Sequence, residues 1–426
     1  MSKTTQLLIL GNGFDLHCGL ESSYKDFFEI EILDIILEKD WNITKMRNDC
    51  SGFWENLFLQ YYLKRRNDNY KWCDIESIVK ETLFTIFIKS HNQFLNNKKI
   101  YEVALSNLLD KVPLNEIKCF SKIDEFLIEY IMNYFNNTKI IDNLHYDFNT
   151  IKIKTIEHLL HELNNLENRF CKYLKNQLIN PNNGKETRGT YIFQALNLLI
   201  KLTSNYKKNY YNDLIIDIGA DDKMFIKDVS EIVSLSLYNR NKSLTKEILT
   251  LKSTHILSFN YTNIFDIIQL ESPGNYTNVH GKLCTNNCKD CNNSNIIFGI
   301  DDTTIQSQSE VPELRLFSKT YRKMKNSSSP LNILPAINNK LLEIKFYGHS
   351  LSSADYSYFQ SIFDHYNIYE NNLVSLIFYY SKGHEQYDAI YDLINIYGNT
   401  LANKNQGKNL MHKLLLENRI KIIEID

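Results

Sequence analysis

Apolar positions follow two different patterns along this chain. Gln6–Leu10 (QLLIL) is an unbroken apolar run that stops at Gly11-Asn12-Gly13. Similar short runs stand at Thr254–Phe259 (THILSF), Asn278–His280, Asn295–Ile300 (NIIFGI), Glu343–Tyr347 (EIKFY), Val374–Tyr380 (VSLIFYY) and Arg419–Ile425 (RIKIIEI). Runs without polar alternation are strands covered on both faces, as in parallel sheets. Helical spacing fills several of the intervals, for instance Glu385–Tyr397 and Lys408–Glu417. Strands alternating with helices predict an α/β fold, a doubly wound and mostly parallel Rossmann-like sheet.

The middle of the chain has the other pattern. No glycine occurs between Gly52 and Gly184, and Pro113 is the only proline before Pro181. So long a stretch without breakers favours helices. Ile75, Ile78, Val79 and Leu83 make one helical stripe, and Ile156, Leu159, Leu160, Leu163 and Leu166 make another. Residues 192–203 and 226–250 read alike, with loops at Asn182–Gly189 and Gly219–Asp222. The predicted organisation is one nucleotide-binding domain, 1–23 plus 251–426, split by a mainly helical insertion at 24–250.

Composition narrows the function. The 426 residues carry 48 basic and 50 acidic side chains, a net charge of −2, which gives no electrostatic footprint for duplex nucleic acid. No apolar run is long enough to span a bilayer, and the N-terminal one is too short for an export signal. The expectation is a cytoplasmic protein without membrane contact, its eight cysteines reduced.

In a doubly wound sheet, ligands bind beyond the carboxyl ends of the strands. Gly11, Gly13, Gly19, Gly281, Gly299 and Gly348 all fall in or near such places. Gly11-Asn12-Gly13-Phe14-Asp15 is a strand-to-helix turn whose backbone could approach a phosphate, or one needing glycine for geometry alone. Asp15 reads as a helix cap or as a ribose ligand. Asn260, with Tyr261 behind it, either holds a water or ribose hydroxyl or caps the helix beginning near Asn263. His280, before Gly281, is either a satisfied structural histidine or a general base. Gly348-His349-Ser350, with Asp355 nearby, is a further glycine turn suited to a nucleotide, and His349 is the second candidate imidazole. His158 and His161 read as a solvated helix face, and Lys64-Arg65-Arg66 and Tyr321-Arg322-Lys323-Met324-Lys325 as exposed surface.

In order, GNGFDL…SYKDFF, Trp72-x-Asp74-x-Glu76, SFNYT, VHG, IIFGIDD and FYGHSLSSAD resemble the bacteriophage abortive-infection AbiH family. More remotely, the order is similar to the sirtuin-type (SIR2-like) NAD-binding fold. The resemblance implies antiphage defence, with NAD as ligand or substrate. It places Gly11 and Gly13 in the first nucleotide turn, Asn260 on the attacking water or ribose, His280 as catalytic base, and Gly348 with Ser350 in the adenosine turn. Thr262 stands where the sirtuin pattern has an aspartate, a carboxylate that Asp15 or Asp355 would have to supply. A sirtuin zinc module follows the His-Gly pair, and here Cys284, Cys288 and Cys291 stand in the polar loop 282–294. Three thiolates need a fourth ligand for a structural zinc site, so these residues are a partial zinc set or free thiols.

The reading that follows is an NAD+ glycohydrolase acting in defence. His280 is its base, Asn260 positions the water, and the helical insertion is a lid or sensor for a phage-derived trigger or partner protein. The rivals are a nucleotide sensor without turnover and a metal-dependent nuclease built on Asp15, Asp355 and the FGIDD aspartates. The oligomeric state stays open.

Overall fold

The computed structural model describes residues 5–33, 52–65, 75–88, 99–104, 122–138, 148–179, 185–203, 254–267, 276–283, 296–301, 311–326, 334, 342–401 and 409–425. The chain forms two compact units. Met1–Ser23, Cys171–Ile296 and Ser328–Asp426 make the first; Tyr24–Phe170 and Ile297–Ser327 make the second.

The first unit holds a six-stranded, wholly parallel sheet: β1 (Thr5–Leu10), β2 (His255–Ser258), β3 (Tyr276–Asn278), β4 (Leu342–Tyr347), β5 (Val374–Tyr380) and β6 (Ile420–Glu424). Its spatial order is β3-β2-β1-β4-β5-β6, the order of Rossmann-like sheets. β1 is central, pairing Leu7–Leu10 with β2 and Thr5–Leu10 with β4. Leu7, Leu8, Ile9 and Leu10 have no exposure, so both faces of β1 are covered, as its unbroken apolar run predicts. Leu7, Ile9, Ile344, Phe346, Leu376 and Phe378 join one core with Phe359, Ile362 and Phe363 of α10 (Tyr356–Tyr366) and Leu393 and Ile394 of α11 (Tyr387–Thr400).

One helix is fastened to this sheet by polar groups. The C-terminal carbonyls of a helix lack intrahelical donors, and α7 (Lys185–Thr203) finds them on the strands. Lys345 Nζ, buried in β4, donates to the Leu202 carbonyl at 3.0 Å, and Gln6 Nε2 donates to that of Thr203 at 3.0 Å. The same docking carries Tyr191, near the other end of α7, towards the end of β1.

Every described element between α1 (Gly13–His17) and β2 is helical: α2 (Tyr24–Phe28), followed by a π-helical turn, then α3 (Phe53–Arg65), α4 (Ile75–Phe87), α5 (Lys122–Thr138), α6 (Phe148–Ile179) and α7. The predicted stripes are buried at Ile75, Ile78, Val79, Leu83, Ile156, Leu159, Leu163 and Leu166. Residues 226–250 and the loop 219–222 lie outside the described residues. Gly189 falls inside α7, so the expected loop ends sooner than the glycine suggested.

NIIFGI departs from its predicted role. Its described residues pair with no strand of the sheet; Ile300 makes one isolated bridge, to Ser318, and Ile297–Ser327 belong to the second unit. Side chains there take its backbone groups. Glu167 Oε1 accepts from the Phe298 N–H at 2.6 Å, and Arg322, on α9 (Lys319–Asn326), donates to Phe298 O at 2.6 Å. Arg322 also grips both Glu167 oxygens, at 2.6 and 2.7 Å. Burial holds the Glu167 carboxyl above its usual range even beside that guanidinium. Phe298 then packs its ring on Tyr24 and Phe170, whose centroids lie 5.0 and 5.5 Å away. Among the described residues no helix is long and apolar enough to cross a membrane.

Candidate functional site

The strand order reverses between β1 and β4, and the two glycine turns meet there. The Gly11 N–H donates to Tyr347 O at 3.0 Å and the Gly13 N–H to Gly348 O at 2.7 Å. A Cβ on Gly11 would lie 2.3 Å from His349 Cα, and one on Gly348 would lie 2.4 Å from Phe14 N. Gly348 also has φ +68°, a conformation costly for any other residue. These glycines therefore let one backbone lie on the other. The amides of Gly11, Gly13 and Phe14 have protein acceptors, which fits a turn that needs glycine for its geometry. Asn12 is likewise engaged, its Oδ1 accepting from the Ser22 hydroxyl at 2.7 Å.

Asp15, in α1, is buried and met by three neutral donors. Thr262 Oγ1 donates to Oδ2 at 2.5 Å and the Tyr191 hydroxyl to Oδ1 at 2.8 Å; Asn260 supplies a third side-chain bond. Burial nonetheless raises its carboxyl from 3.8 to about 6, the hydrogen bonds only partly offsetting the lost hydration. Burial and the adjacent Asp15 charge push the Tyr191 phenol well above its normal value, so it remains a donor.

A carboxyl with a raised folded-state pKa is held more tightly as the acid by the native protein. Its destabilisation is absent below about pH 4, grows as pH rises through 6, and is complete above about pH 7. The rise corresponds to at most about 3 kcal/mol. Asp15→Asn should therefore increase the unfolding free energy by about 1–2 kcal/mol at pH 8, after allowing for weakened hydrogen bonds, and by nearly nothing at pH 4. Urea denaturation at both pH values checks this, and equal effects at the two would contradict it.

Asn260 is buried, two residues beyond Ser258 of β2. Its backbone is held by Asn278, whose Nδ2 donates to the carbonyls of Asn260 and Thr262 at 2.8 and 2.9 Å. Asn260 does not cap α8 (Ile264–Ile267); Asn263 Oδ1 does so, accepting from the Phe265 N–H at 3.0 Å. Asn260 Oδ1 is buried and has no hydrogen-bond partner among the described residues. A buried amide oxygen left unsatisfied is costly in a merely structural residue.

His280 stands two residues beyond Asn278 of β3, on the level of Asn260. Its Nε2 lies 3.0 Å from Asp355 Oδ1, and His349 Nε2 lies 3.3 Å from Asp355 Oδ2. Asp355 immediately precedes α10 yet makes no capping bond; its carboxylate serves the two imidazoles instead. The Phe259 ring meets both edge-on, with centroids 5.4 Å from His280 and 4.5 Å from His349.

The remaining candidates are more peripheral. Phe14 is buried, Tyr261 is half-buried, and Ser350 is exposed beside His349. A shallow cleft lined by Tyr347, Gly348, His349, Phe378, Tyr380 and Ile390 opens at the carboxyl ends of β4 and β5. Cys284, Cys288 and Cys291 lie outside the described residues, and no group of three or more metal-ligating side chains occurs among the described ones. Sequence reasoning missed Tyr191 and Asn278. Asn278 at a strand end carried a usable signal; Tyr191, one of 27 tyrosines, carried none.

No curated protein and no solved structure gives a significant match to the chain. A family model described as Bacteriophage abortive infection AbiH matches residues 7–161 and 154–380, most of its length. The strand-end segments that build the cluster lie inside that match, and the chain belongs to the AbiH family, with a role in abortive infection, a form of phage defence.

Proposed function

We propose that the first unit binds NAD+ and hydrolyses its nicotinamide–ribose bond, and that this is how the protein acts in phage defence. The observation that carries the reading is Asn260 Oδ1, buried without a hydrogen-bond partner among the described residues, with a carboxylate-backed His280 at the end of the adjacent strand. Support also comes from the position, since dinucleotides bind where the strand order of such sheets reverses. The finer fold assignment, doubly wound and SIR2-like, belongs to the same reading. The covered faces of β1 favour it, as does the carboxylate of Asp15 against Thr262, where the sirtuin pattern has an aspartate of its own.

In the reaction, the bond between C1′ and the nicotinamide nitrogen breaks and nicotinamide leaves with the electron pair. The resulting oxocarbenium-like centre needs water on its open face. Asn260 Oδ1 accepts a hydrogen bond from that water or from a ribose hydroxyl, and His280 takes the proton as water adds to C1′. The glycine turn at Gly348 and His349, at the end of β4, takes the adenosine half. An activity that depletes a cofactor has to be gated. A phage-derived trigger is the natural effector, and the helical insertion its place of action.

A reading as a metal-dependent nuclease fits the carboxylates less well. Asp15 is held by neutral donors and Asp355 by two histidines. Incubation of the purified chain with NAD+, with and without phage lysate and with and without EDTA, decides among the readings. Nicotinamide release unaffected by EDTA is expected. NAD+ binding without release under every condition would make the protein a sensor, and EDTA-sensitive cleavage of nucleic acid would make it a nuclease.

A further inference from the structure

We infer that Asp355 and His349 are positioning residues that hold His280 in a single tautomer, with the proton on Nε2 and Nδ1 as its basic nitrogen. This deepens the reading of His280 as the base and rests on it for its catalytic meaning. The argument begins at His349. Its Nδ1 accepts the Leu351 N–H at 2.9 Å, so in the neutral ring the proton sits on Nε2. That Nε2–H points to Asp355 Oδ2 at 3.3 Å. A carboxylate accepts through both oxygens, so Oδ1, 3.0 Å from His280 Nε2, calls for a donor there as well. Both imidazoles then carry Nε2–H, and His280 presents Nδ1 as its lone-pair nitrogen.

The surroundings keep the carboxylate in place. Leu351 has φ +57°, a turn that aims its N–H back at His349. His349 Cα and Cβ sit against Gly11, so this imidazole is anchored where the two glycine turns meet. Phe259 and Tyr358 wall the His280 ring, with centroids 5.4 and 5.5 Å away, both edge-to-face. The chain therefore invests a second buried histidine and a forgone helix cap in one orientation of His280. A histidine that only packed would need neither.

The test is the ring tautomer, which a purely structural cluster would leave without consequence for the reaction. Full-length chain with 15N-labelled histidine is examined at neutral pH by long-range 1H–15N correlation, and His280 is assigned by its loss in His280→Ala. The expected wild-type form is Nε2–H. In Asp355→Asn the amide can donate to Nε2, and His280 should change to Nδ1–H. Nicotinamide release should then fall about 10²–10⁴-fold in kcat with KM within threefold, as when the carboxylate behind a catalytic imidazole is neutralised. His349→Gln still donates to Asp355 and should leave His280 in the Nε2–H form. Nδ1–H in the wild type overturns the proposal without recourse to any variant, so a poorly folding Asp355→Asn does not shelter it. An unchanged tautomer in a folded Asp355→Asn overturns it too. A wild type that has the Nε2–H form but releases no nicotinamide overturns the glycohydrolase reading instead, so the two failures are distinct.

Discussion

His280→Ala is expected to reduce nicotinamide release by about 10²–10⁴-fold, the usual range for loss of a positioned general base. The loss should appear in kcat, because the imidazole acts on the water that attacks C1′ rather than on the bound ground state. NAD+ affinity, measured by calorimetry, should change only a few-fold. Removing the ring leaves Asp355 paired with His349, so one ion–dipole contact is lost rather than the cluster. Destabilisation should stay near 1–3 kcal/mol. A variant that keeps wild-type turnover would mean that His280 is a structural histidine, however well it is placed.

Gly348→Ala tests the architecture beneath that chemistry. The φ of +68° costs alanine about 1 kcal/mol, and the added Cβ would stand 2.4 Å from Phe14 N and 2.7 Å from Gly13 C. Both neighbours are backbone, so neither can rotate away, and the ends of β1 and β4 must separate. Overpacking of this kind costs about 1–3 kcal/mol, giving an expected total of about 2–4 kcal/mol. Gly383→Ala is the control. Its φ is +78°, but nothing lies within 4 Å of an added Cβ, so only the backbone cost of about 1 kcal/mol is expected. Urea midpoints should separate the two variants. Equal losses would show that the close approach of the turns contributes little.

The strands were legible because burial on both faces removes polar alternation, and this left QLLIL, EIKFY and VSLIFYY as plain runs. The same property made NIIFGI misleading. An apolar run reports burial but not its partner, and this one is held by Glu167 and Arg322 rather than by a strand. The ends of the runs pointed to His280, Asn260, Gly11 and Gly348, and the parallel sheet brings the ends of its strands to one edge. What those residues do was harder to read. Gly11 and Gly13 read either as phosphate-binding amides or as glycines needed for geometry alone, and their amides bond to the β4 turn. Asp355 read as a nucleotide ligand and is found between two histidines. Tyr191 reaches Asp15 across 176 positions, a contact made by the docking of α7 and by no local pattern.

The central claim is that the carboxyl ends of β1, β2, β3 and β4 together form a dinucleotide site. Its most direct measurement is a crystal structure of the full chain with an NAD+ analogue whose nicotinamide–ribose bond resists hydrolysis. The account predicts the nicotinamide ribose between Asn260 Oδ1 and His280, with the adenosine half at the glycine turn of Gly348. An analogue ordered elsewhere on the protein, or an empty site at saturating concentration, would contradict it.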